Sequence, residues 1–360
     1  MKNKALDPVK LLRYRDSIYA SDLLICSVAY FDFFSFFKNT PRTFTEICEH
    51  FKIVSRPADV MLSLFLAMKL INKTKTAYLL SDVSMEYLVD SSPESLVPYY
   101  ASLKNRPQCI EFRDILLSGK PAGWSSRNDG SDWIKAMQDT GFANSFISAM
   151  DSRGSFLAKM LARKIDLSCH RSILDIAGGS GVYACALNKR HKHLAAAVLE
   201  IPPADGAARR SVEAKGMSDK VHIIGGDMFN QIPKGYDVHL FANVFHDWDI
   251  DSVETLVANS FESLCPGGSI LIFDAHLNAE KNGPLPVAEY SCLLMHSTEG
   301  KCYSTKEILE ILRKVGFIKP EILGIAAYRT LIIGNKPAVG VVRFDGHPGL
   351  NGKSGDGLFK

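Results

Sequence analysis

The residues that most constrain the fold lie between 173 and 187, where an apolar run closes on an acidic residue and glycines follow. The run is Ile173-Leu174-Asp175-Ile176, the turn is Ala177-Gly178-Gly179-Ser180-Gly181, and helix-forming residues continue from Val182 to Leu187. This order predicts a strand, a tight turn and a helix. Because glycine has no Cβ, the backbone of such a turn can pass close to a bound molecule.

Two classes of cofactor bind at turns of this kind. A dinucleotide fold would use Gly179-x-Gly181-x-x-Ala184, with the pyrophosphate at the helix N-terminus and Glu200 on a ribose. Asp175 argues against it, because a carboxylate here would repel the pyrophosphate. S-adenosylmethionine carries an ammonium and a sulfonium group, which an acid attracts, and Glu200 can accept hydrogen bonds from both ribose hydroxyls. We therefore predict S-adenosylmethionine as the cofactor, with a dinucleotide and a turn that binds nothing as the remaining alternatives.

Composition limits the class of protein. The chain has 360 residues, of which 46% are hydrophobic and 22% charged, enough for two domains with buried cores. Its 42 basic and 39 acidic side chains are interspersed, which gives no case for a nucleic-acid partner. Residues 1–16 lack a signal-peptide core, and Leu23–Phe37 is too short to span a bilayer, so we expect a cytoplasmic protein with no membrane partner. The eight cysteines form no C-x-x-C pair, which predicts reduced thiols and no metal site.

Residues 1–110 predict a mostly helical domain. Apolar residues recur at helical spacing in three segments: Val9–Tyr19, Leu23–Phe37 and Val60–Leu70. A helix over Thr43–Phe51, a second one opening at Ser55 and a hairpin over Ile71–Leu80 resemble a winged helix. The second helix offers Arg56, Met61, Ser63 and Leu64 rather than a row of Arg, Lys, Asn and Gln. A packing or dimerisation domain is therefore favoured over a DNA-binding one.

Residues 111–170 predict a helical connector, with turns at Gly119-Lys120-Pro121 and Asn128-Asp129-Gly130. Its large apolar residues are Trp124, Trp133, Phe142, Phe146, Met150 and Phe156. Aromatic residues at helical spacing commonly belong to a core, but a bulky apolar substrate needs such a wall. Phe142, Phe146 and Met150 are therefore candidate acceptor-binding residues.

Residues 171–336 predict a doubly wound α/β sheet, because apolar strand-like runs alternate with helical stretches. The predicted strands are Ile173–Ile176, Ala195–Leu199, Val221–Ile224, Val238–Ala242, Ser269–Phe273 and Thr330–Ile333. Ligands of such sheets bind at the carboxyl ends of the strands. Polar residues at or just beyond these ends are Asp175, Glu200, Asp227, Asn243, His246 and Asp274. We expect these side chains to converge on one crevice.

Two of these positions suggest a role directly. Asp227 can accept a hydrogen bond from an adenine amino group while Met228 packs on the ring, although Gly225–Phe229 is also readable as a plain turn. His246 follows a strand end on the cofactor side, and histidine is the side chain best suited to remove a proton near neutral pH. The alternative is that His246 only forms hydrogen bonds within its own loop and takes no part in catalysis.

Together these motifs resemble the small-molecule O-methyltransferase family that includes caffeic acid, hydroxyindole and bacterial polyketide methyltransferases. The resemblance covers residues 10–336. It rests on Leu174–Gly181, Leu199-Glu200-Ile201-Pro202, Gly226-Asp227-Met228-Phe229, Asn243–Trp248, Pro266-Gly267-Gly268 and Val315-Gly316-Phe317.

The resemblance implies an N-terminal helical dimerisation domain over 1–110, a connector over 111–170 that contributes to the acceptor pocket, and a Rossmann-like S-adenosylmethionine domain over 171–336. It implies that His246 takes the acceptor's proton while the oxygen attacks the cofactor's methyl group in line. The implied cofactor-binding residues are Asp175, Gly178, Gly179, Gly181, Glu200, Ile201, Asp227, Met228, Asn243 and Trp248. The implied acceptor wall adds Tyr290, Leu294 and Met295 to the three residues of the connector.

Two positions depart from the family pattern. Ala177 replaces a glycine found in many members. Plant members flank the histidine with two glutamates, and the matching positions here are Asp274, which can orient an imidazole, and Cys302, which cannot supply a carboxylate. A few members with this fold bind the cofactor and act as hydroxylases or pericyclic catalysts, and Cys302 keeps that alternative open.

We therefore predict a homodimeric S-adenosylmethionine-dependent O-methyltransferase that releases S-adenosylhomocysteine. Its acceptor is a hydroxyl, most simply a phenolic one, on a small aromatic or polyketide-like molecule. A winged-helix regulatory or binding protein is the alternative outside this fold. The glycine-rich segment 337–360 extends past the family pattern, and we expect a flexible tail there.

Overall fold

The computed structural model describes residues 7–38, 40–122 and 139–338 of the chain. Trp124, Trp133 and the turn predicted at Asn128-Asp129-Gly130 lie outside these ranges, as does the predicted tail from residue 339 onward.

Short helices and a small sheet make up the N-terminal part. The helices are α1 (Val9–Asp16), α2 (Ala20–Phe31), α3 (Phe44–Phe51), α4 (Ser55–Ala67), α5 (Asp82–Tyr87), α6 (Val97–Ala101) and α7 (Pro107–Ser118). The strands are β1 (Arg42–Thr43), β2 (Ile71–Lys73) and β3 (Ala77–Leu80), in the antiparallel order β1-β3-β2. The Thr43 and Glu46 side chains form a capping box that fixes the start of α3. The helices and the hairpin predicted over residues 43–80 are thus present.

The predicted helix over Leu23–Phe37 is too long. The helix α2 ends at Phe31, because Asp32 adopts a left-handed conformation with a φ of 44°. The apolar residues that follow, Phe33, Phe34 and Phe37, are fully buried in a turn segment rather than on a helix face. The helical spacing of apolar residues therefore continues beyond the residue at which the helix ends, and it predicted too long a helix.

An α/β sheet organises the C-terminal part, preceded by the long helix α8 (Thr140–Lys164). The strands are β4 (Ser172–Ile176), β5 (Ala195–Glu200), β6 (Val221–Gly225), β7 (Val238–Ala242), β8 (Ser269–Asp274), β9 (Ile318–Ala326) and β10 (Arg329–Asn335). The helices between them are α9 (Val182–Arg190), α10 (Ala204–Ala214), α11 (Ile250–Ser263), α12 (Leu285–Ser297) and α13 (Thr305–Val315).

The seven strands lie in the order β6-β5-β4-β7-β8-β10-β9. The first five are parallel, and β10 enters antiparallel between β8 and β9, with Thr330 opposite Asp274. The strand order reverses between β4 and β7, and ligands of doubly wound sheets bind at such a switch point. The predicted doubly wound α/β architecture is confirmed.

The sequence analysis did not predict the edge strand β9. Most of its residues are exposed or half-buried, and it contains Pro320. A strand at the edge of a sheet needs neither a continuous apolar run nor every backbone N–H, so it gives a weak sequence signal.

Apolar side chains form one core in the N-terminal part and one on each face of the large sheet. Helix α12 belongs to the N-terminal core, where Tyr290, Leu294 and Met295 are buried beside the phenylalanines of α2 and α4. The two parts of the chain therefore share a helix, and that helix also reaches the carboxyl edge of the sheet.

Polar contacts reinforce this junction. Lys281 and Lys301 each bridge Asp59 of α4 and Glu307 of α13. Arg56 donates to the carbonyl oxygens of Gly119 and Gly300, at 2.7 and 2.8 Å. The basic residue considered for DNA contact is therefore engaged inside the molecule. None of the helices within the described ranges is long and apolar enough to cross a membrane.

Candidate active site

The glycine-rich turn after β4 has the conformation that the sequence demands. Gly179 has a φ of 54°, and a Cβ built there would meet no atom within 4 Å, so this face of the turn is open. A Cβ on Gly178 would instead lie 2.7 Å from Cγ of Asp175 and 2.9 Å from Cγ1 of Val198. Because Gly178 has no Cβ, the turn can pack closely on Asp175 and Val198. The backbone of Gly179 is open, so a ligand can approach it directly.

Glu200, at the end of β5, ties that strand to the turn. Its carboxylate accepts hydrogen bonds from the backbone N–H of Gly179, at 2.8 Å, and of Ile201, at 3.0 Å. Burial raises the pKa of Glu200 although both N–H donors act against this. An acidic acceptor is thus held directly beside the open backbone of Gly179.

Asp175 lies behind the same turn and is fully buried. One carboxylate oxygen accepts from the N–H of Ala184 at 3.2 Å, while Oδ1 has no hydrogen-bond partner. Burial raises the pKa of Asp175 to about 7. An unpartnered carboxylate oxygen and the neighbouring Glu200 fit a cationic ligand and would repel a pyrophosphate, so the chemistry of the turn fits S-adenosylmethionine.

The segment after β6 lies on the outer side of Glu200. The Gly226 N–H donates to the carbonyl oxygen of Glu200 at 3.0 Å, and Oδ1 of Asp227 accepts from the N–H of Phe229 at 2.9 Å. Trp248 packs edge-on against Phe229, with ring centroids 4.7 Å apart. The segment with Asp227 and Met228, which were predicted to contact an adenine, thus lies beside Glu200 and Trp248.

His246 and Asp274 form a buried pair at the ends of β7 and β8. The distance between Nδ1 of His246 and Oδ1 of Asp274 is 2.5 Å, and the Ala275 N–H donates to the same oxygen at 2.7 Å. Burial by itself would raise the pKa of Asp274, but the charge of His246 and its hydrogen bond lower this pKa to about 2. A carboxylate at Nδ1 leaves Nε2 of His246 as the nitrogen that can accept a proton.

Tyr290 of α12 packs edge-on against His246, with ring centroids 5.6 Å apart. Its hydroxyl accepts from Nη1 of Arg153 at 2.9 Å. The Arg329 guanidinium lies over its ring, with Cζ 4.7 Å from the centroid. Asn243 accepts from Nε of Arg329 at 3.4 Å and donates to the hydroxyl of Tyr183 at 2.9 Å. Polar groups from α8, α9, α12, β10 and the residue after β7 therefore meet beside His246.

Cys302 is buried, and its backbone N–H donates to Oγ of Ser291 at 3.0 Å. Burial raises the pKa of its thiol well above the usual value. A neutral thiol cannot orient an imidazole as a carboxylate does, so Asp274 is the acid that positions His246.

The residues of the predicted acceptor wall come from α8 and α12. Tyr290, Leu294 and Met295 are all buried in the N-terminal core, and Tyr290 also contacts His246. Phe142 and Phe146 stack with centroids 6.2 Å apart, and Phe142 packs near Ile201 and Ala204.

Sequence reasoning missed Arg153 and Arg329. Arg153 follows Met150 by three positions, on the helical stripe that includes residues 142 and 146, so the spacing contained a signal. Arg329 reaches the site only because β10 runs antiparallel beside β8, which no local pattern indicates.

The fold and the site define a nucleotide-cofactor-binding α/β enzyme with a histidine and carboxylate pair. The sequence pattern of the O-methyltransferase domain matches residues 111–318, more than half of the chain. The chain therefore belongs to the S-adenosylmethionine-dependent O-methyltransferase family, as its motifs predicted, and is such an enzyme.

Individual relatives agree with this assignment. The chain is 26% identical over 277 residues to a 3-hydroxy-5-methyl-1-naphthoate 3-O-methyltransferase of Streptomyces sahachiroi, covering 75% of this chain and 78% of that protein. It is 25% identical over 334 residues to a tetracenomycin polyketide synthesis 8-O-methyl transferase of Streptomyces glaucescens, covering 92% and 97%. The structure resembles an O-methyltransferase family 2 protein from Planctomyces limnophilus solved with apigenin, with a TM-score of 0.81 and 25% identity, covering 92% and 96% of the two chains.

Proposed function

We propose that this enzyme methylates a phenolic hydroxyl of a small aromatic or polyketide-like molecule, with His246 as the general base and Asp274 as the residue that orients it. The observation that carries the proposal is the buried bond between Nδ1 of His246 and Asp274, at the strand ends beside the glycine turn. S-adenosylmethionine supplies the electrophilic methyl group when it is bound. The relatives named for a hydroxynaphthoate and a polyketide, and the one solved with apigenin, support an acceptor with a hydroxylated aromatic ring.

The chemistry of the pair suits a phenol. The reference pKa is about 10 for a tyrosine-like phenol and about 6.5 for imidazole. With this difference in pKa, the imidazole can remove the phenol's proton as the oxygen attacks the methyl group. An aliphatic alcohol would be far harder to deprotonate. The charge of Asp274 stabilises the imidazolium that forms, and its place at Nδ1 directs Nε2 towards the acceptor.

Product analysis tests the reaction. With a panel of phenols, the wild type should form methyl ether and S-adenosylhomocysteine in equal amounts. Conversion of an acceptor without consumption of the cofactor would contradict methyl transfer and support the non-methyl-transfer alternative.

For the cofactor, we propose that Asp175, Glu200 and the glycine turn hold the methionyl and ribose groups, while Asp227, Met228, Asn243 and Trp248 complete the site. Glu200→Ala and Asp175→Ala should each weaken S-adenosylmethionine binding by about 1–3 kcal/mol, the cost of losing a hydrogen bond to a charged group. Isothermal titration calorimetry on each variant measures the change.

The matched control is Glu213→Ala, which removes an exposed carboxylate from α10. Its affinity for the cofactor should equal that of the wild type. Unchanged affinity in both site variants, or tight binding of a nicotinamide dinucleotide to the wild type, would contradict this assignment of the turn.

For the domain organisation, we propose dimerisation through residues 1–110, a connector over 111–170 and a catalytic domain over 171–336. Support comes from α1 and the turn that follows it, where Leu11, Tyr14 and Ile18 recur at helical spacing and are 71%, 70% and 53% exposed. An apolar stripe of this kind is typical of a helix that packs against a partner.

Sedimentation equilibrium should therefore show a homodimer, and Leu11→Glu should raise its dissociation constant at least about tenfold by placing a charge in the interface. Lys10→Glu, at the exposed neighbouring position, is the control and should leave the dimer intact. A monomeric wild type, or equal effects of the two variants, would contradict the proposal.

A further inference from the structure

Two arginines that the proposed mechanism does not use lie beside the catalytic histidine. Arg153 belongs to α8 and Arg329 is the first residue of β10. Both contact Tyr290: Arg153 through the phenol oxygen at 2.9 Å, and Arg329 through the ring face at 4.7 Å from its centroid. Two cationic groups from different elements are thus held at one aromatic side chain.

These guanidinium groups lack a close ion pair. Arg329 is only 6% exposed, and its ion-pair partner, Asp16, is at 3.9 Å. Asp16 and Asp247 lie near enough to Arg153 to interact with its charge, but no carboxylate of the described residues is paired with it, and its buried Nε has no hydrogen-bond partner. An anion bound here would give these groups the direct hydrogen bonds that they lack.

The position of the pair relates it to the reaction. The ring of His246 is 5.6 Å from the ring of Tyr290, on which Arg329 also rests. Arg329 and His246 are therefore no farther apart than the sum of these two centroid distances. An aromatic molecule that carries an acidic group and a hydroxyl on the same ring system spans such a separation. Arg153 also extends the helical stripe of Phe142, Phe146 and Met150, the proposed acceptor wall.

We propose that Arg153 and Arg329 bind a carboxylate of the acceptor, and that the natural acceptor is a hydroxylated aromatic acid. The inference rests on the proposed methyl transfer at His246 and adds the substrate class. Guanidinium groups suit this task, because their planar donor fork matches a carboxylate and they stay charged when buried. The carboxylate would accept direct hydrogen bonds from the two guanidinium groups and fix the direction from which the hydroxyl approaches Nε2 of His246.

The experiment compares hydroxynaphthoic acids with their methyl esters. Binding of each is measured by calorimetry to the wild-type enzyme saturated with S-adenosylhomocysteine, so that no turnover is required. The tightest-binding acid should bind about 10- to 100-fold more tightly than its ester, the range expected when one partner of a buried charge pair is removed. Equal binding of acid and ester in the whole series, or no binding of either, overturns the proposal.

Variants assign the preference to the two arginines. Arg329→Gln and Arg153→Gln should each abolish most of the preference for the acid. Arg329→Lys should restore part of it, because charge returns without the donor fork. Arg113→Gln, which removes an exposed arginine paired with Asp114 on α7, is the control and should keep the full preference.

Three other outcomes are distinguishable. If the arginines bind the carboxylate of the cofactor instead, Arg329→Gln weakens S-adenosylhomocysteine binding and leaves the ratio of acid to ester unchanged, which contradicts the inference. If acids are preferred but no methyl ether forms from any hydroxynaphthoate or other phenol, the proposed function fails while the anion site stands. If methyl transfer proceeds with no preference for acids, only the inference fails.

Discussion

His246→Ala should lower the rate of methyl transfer by roughly 10²–10⁴, the usual contribution of a positioned acid–base group. Cofactor affinity should stay near the wild-type value, because the assigned cofactor-binding residues do not include His246. The imidazole is 3% exposed, its Nδ1 is bonded to Asp274, and its Nε2 lies 3.5 Å from Oδ1 of Asp247, on the side proposed for the acceptor. Single-turnover rates and calorimetry on the same preparation separate chemistry from binding.

The acidity of the acceptor gives a second measurement. A phenol that is already ionised at the assay pH needs no base, so the deficit of His246→Ala should shrink on nitrophenols relative to weakly acidic phenols. The wild type should also show less pH dependence on the acidic acceptors.

Equal fractional loss on weakly and strongly acidic phenols would contradict a general base, as would wild-type turnover in the variant. If His246 only shapes its loop, cofactor affinity should fall together with the rate.

Gly300→Ala should disable the site without touching an ionisable group. A Cβ at this position would lie 2.1 Å from the carbonyl oxygen of His246, 2.6 Å from its carbonyl carbon and 2.7 Å from the nitrogen of Trp248. These are backbone atoms, so no side-chain rotation relieves the clash, and the 3₁₀ turn that contains His246 (Phe245–Asp247) must move. We expect a loss of about 1–3 kcal/mol in the free energy of unfolding, the cost of overpacking, and a fall in kcat.

Urea denaturation and steady-state kinetics measure both effects. The matched control is Gly324→Ala in β9, where a Cβ would meet no atom within 4 Å. Its stability should be unchanged or slightly raised, because alanine restricts the unfolded chain. If the two variants had the same stability and the same kcat, Gly300 would not be needed to keep the turn at His246 in place.

Much of the site was accessible from the sequence because its residues follow strands directly. In a parallel sheet the carboxyl ends of the strands lie at one edge, so Asp175, Glu200 and Asp274 lie along the same edge although up to 99 positions separate them along the chain. The register confirms this geometry: Ile176 lies opposite Leu199 on β5 and opposite Phe241 on β7. Glu200 and Asp274 then turned out to be the last residues of their strands.

The acceptor wall could not be assigned in the same way. Tyr290, Leu294 and Met295 follow from a family pattern; all three are buried in the N-terminal core, and Tyr290 also contacts His246. Which side of an almost wholly apolar helix meets a substrate depends on the elements packed around it, and helical spacing cannot choose between two buried faces.

The sequence by itself determined the α/β class, the glycine turn with its two acidic neighbours, and His246 as the candidate base. Each of these is local: a strand end, a tight turn or a residue just beyond a strand. Only the tertiary structure decided that Asp274 binds Nδ1 of His246 and that Arg153 and Arg329 meet at Tyr290. Those contacts join residues 28 to 137 positions apart, and their geometry follows from an antiparallel strand and a shared helix rather than from any spacing in the chain.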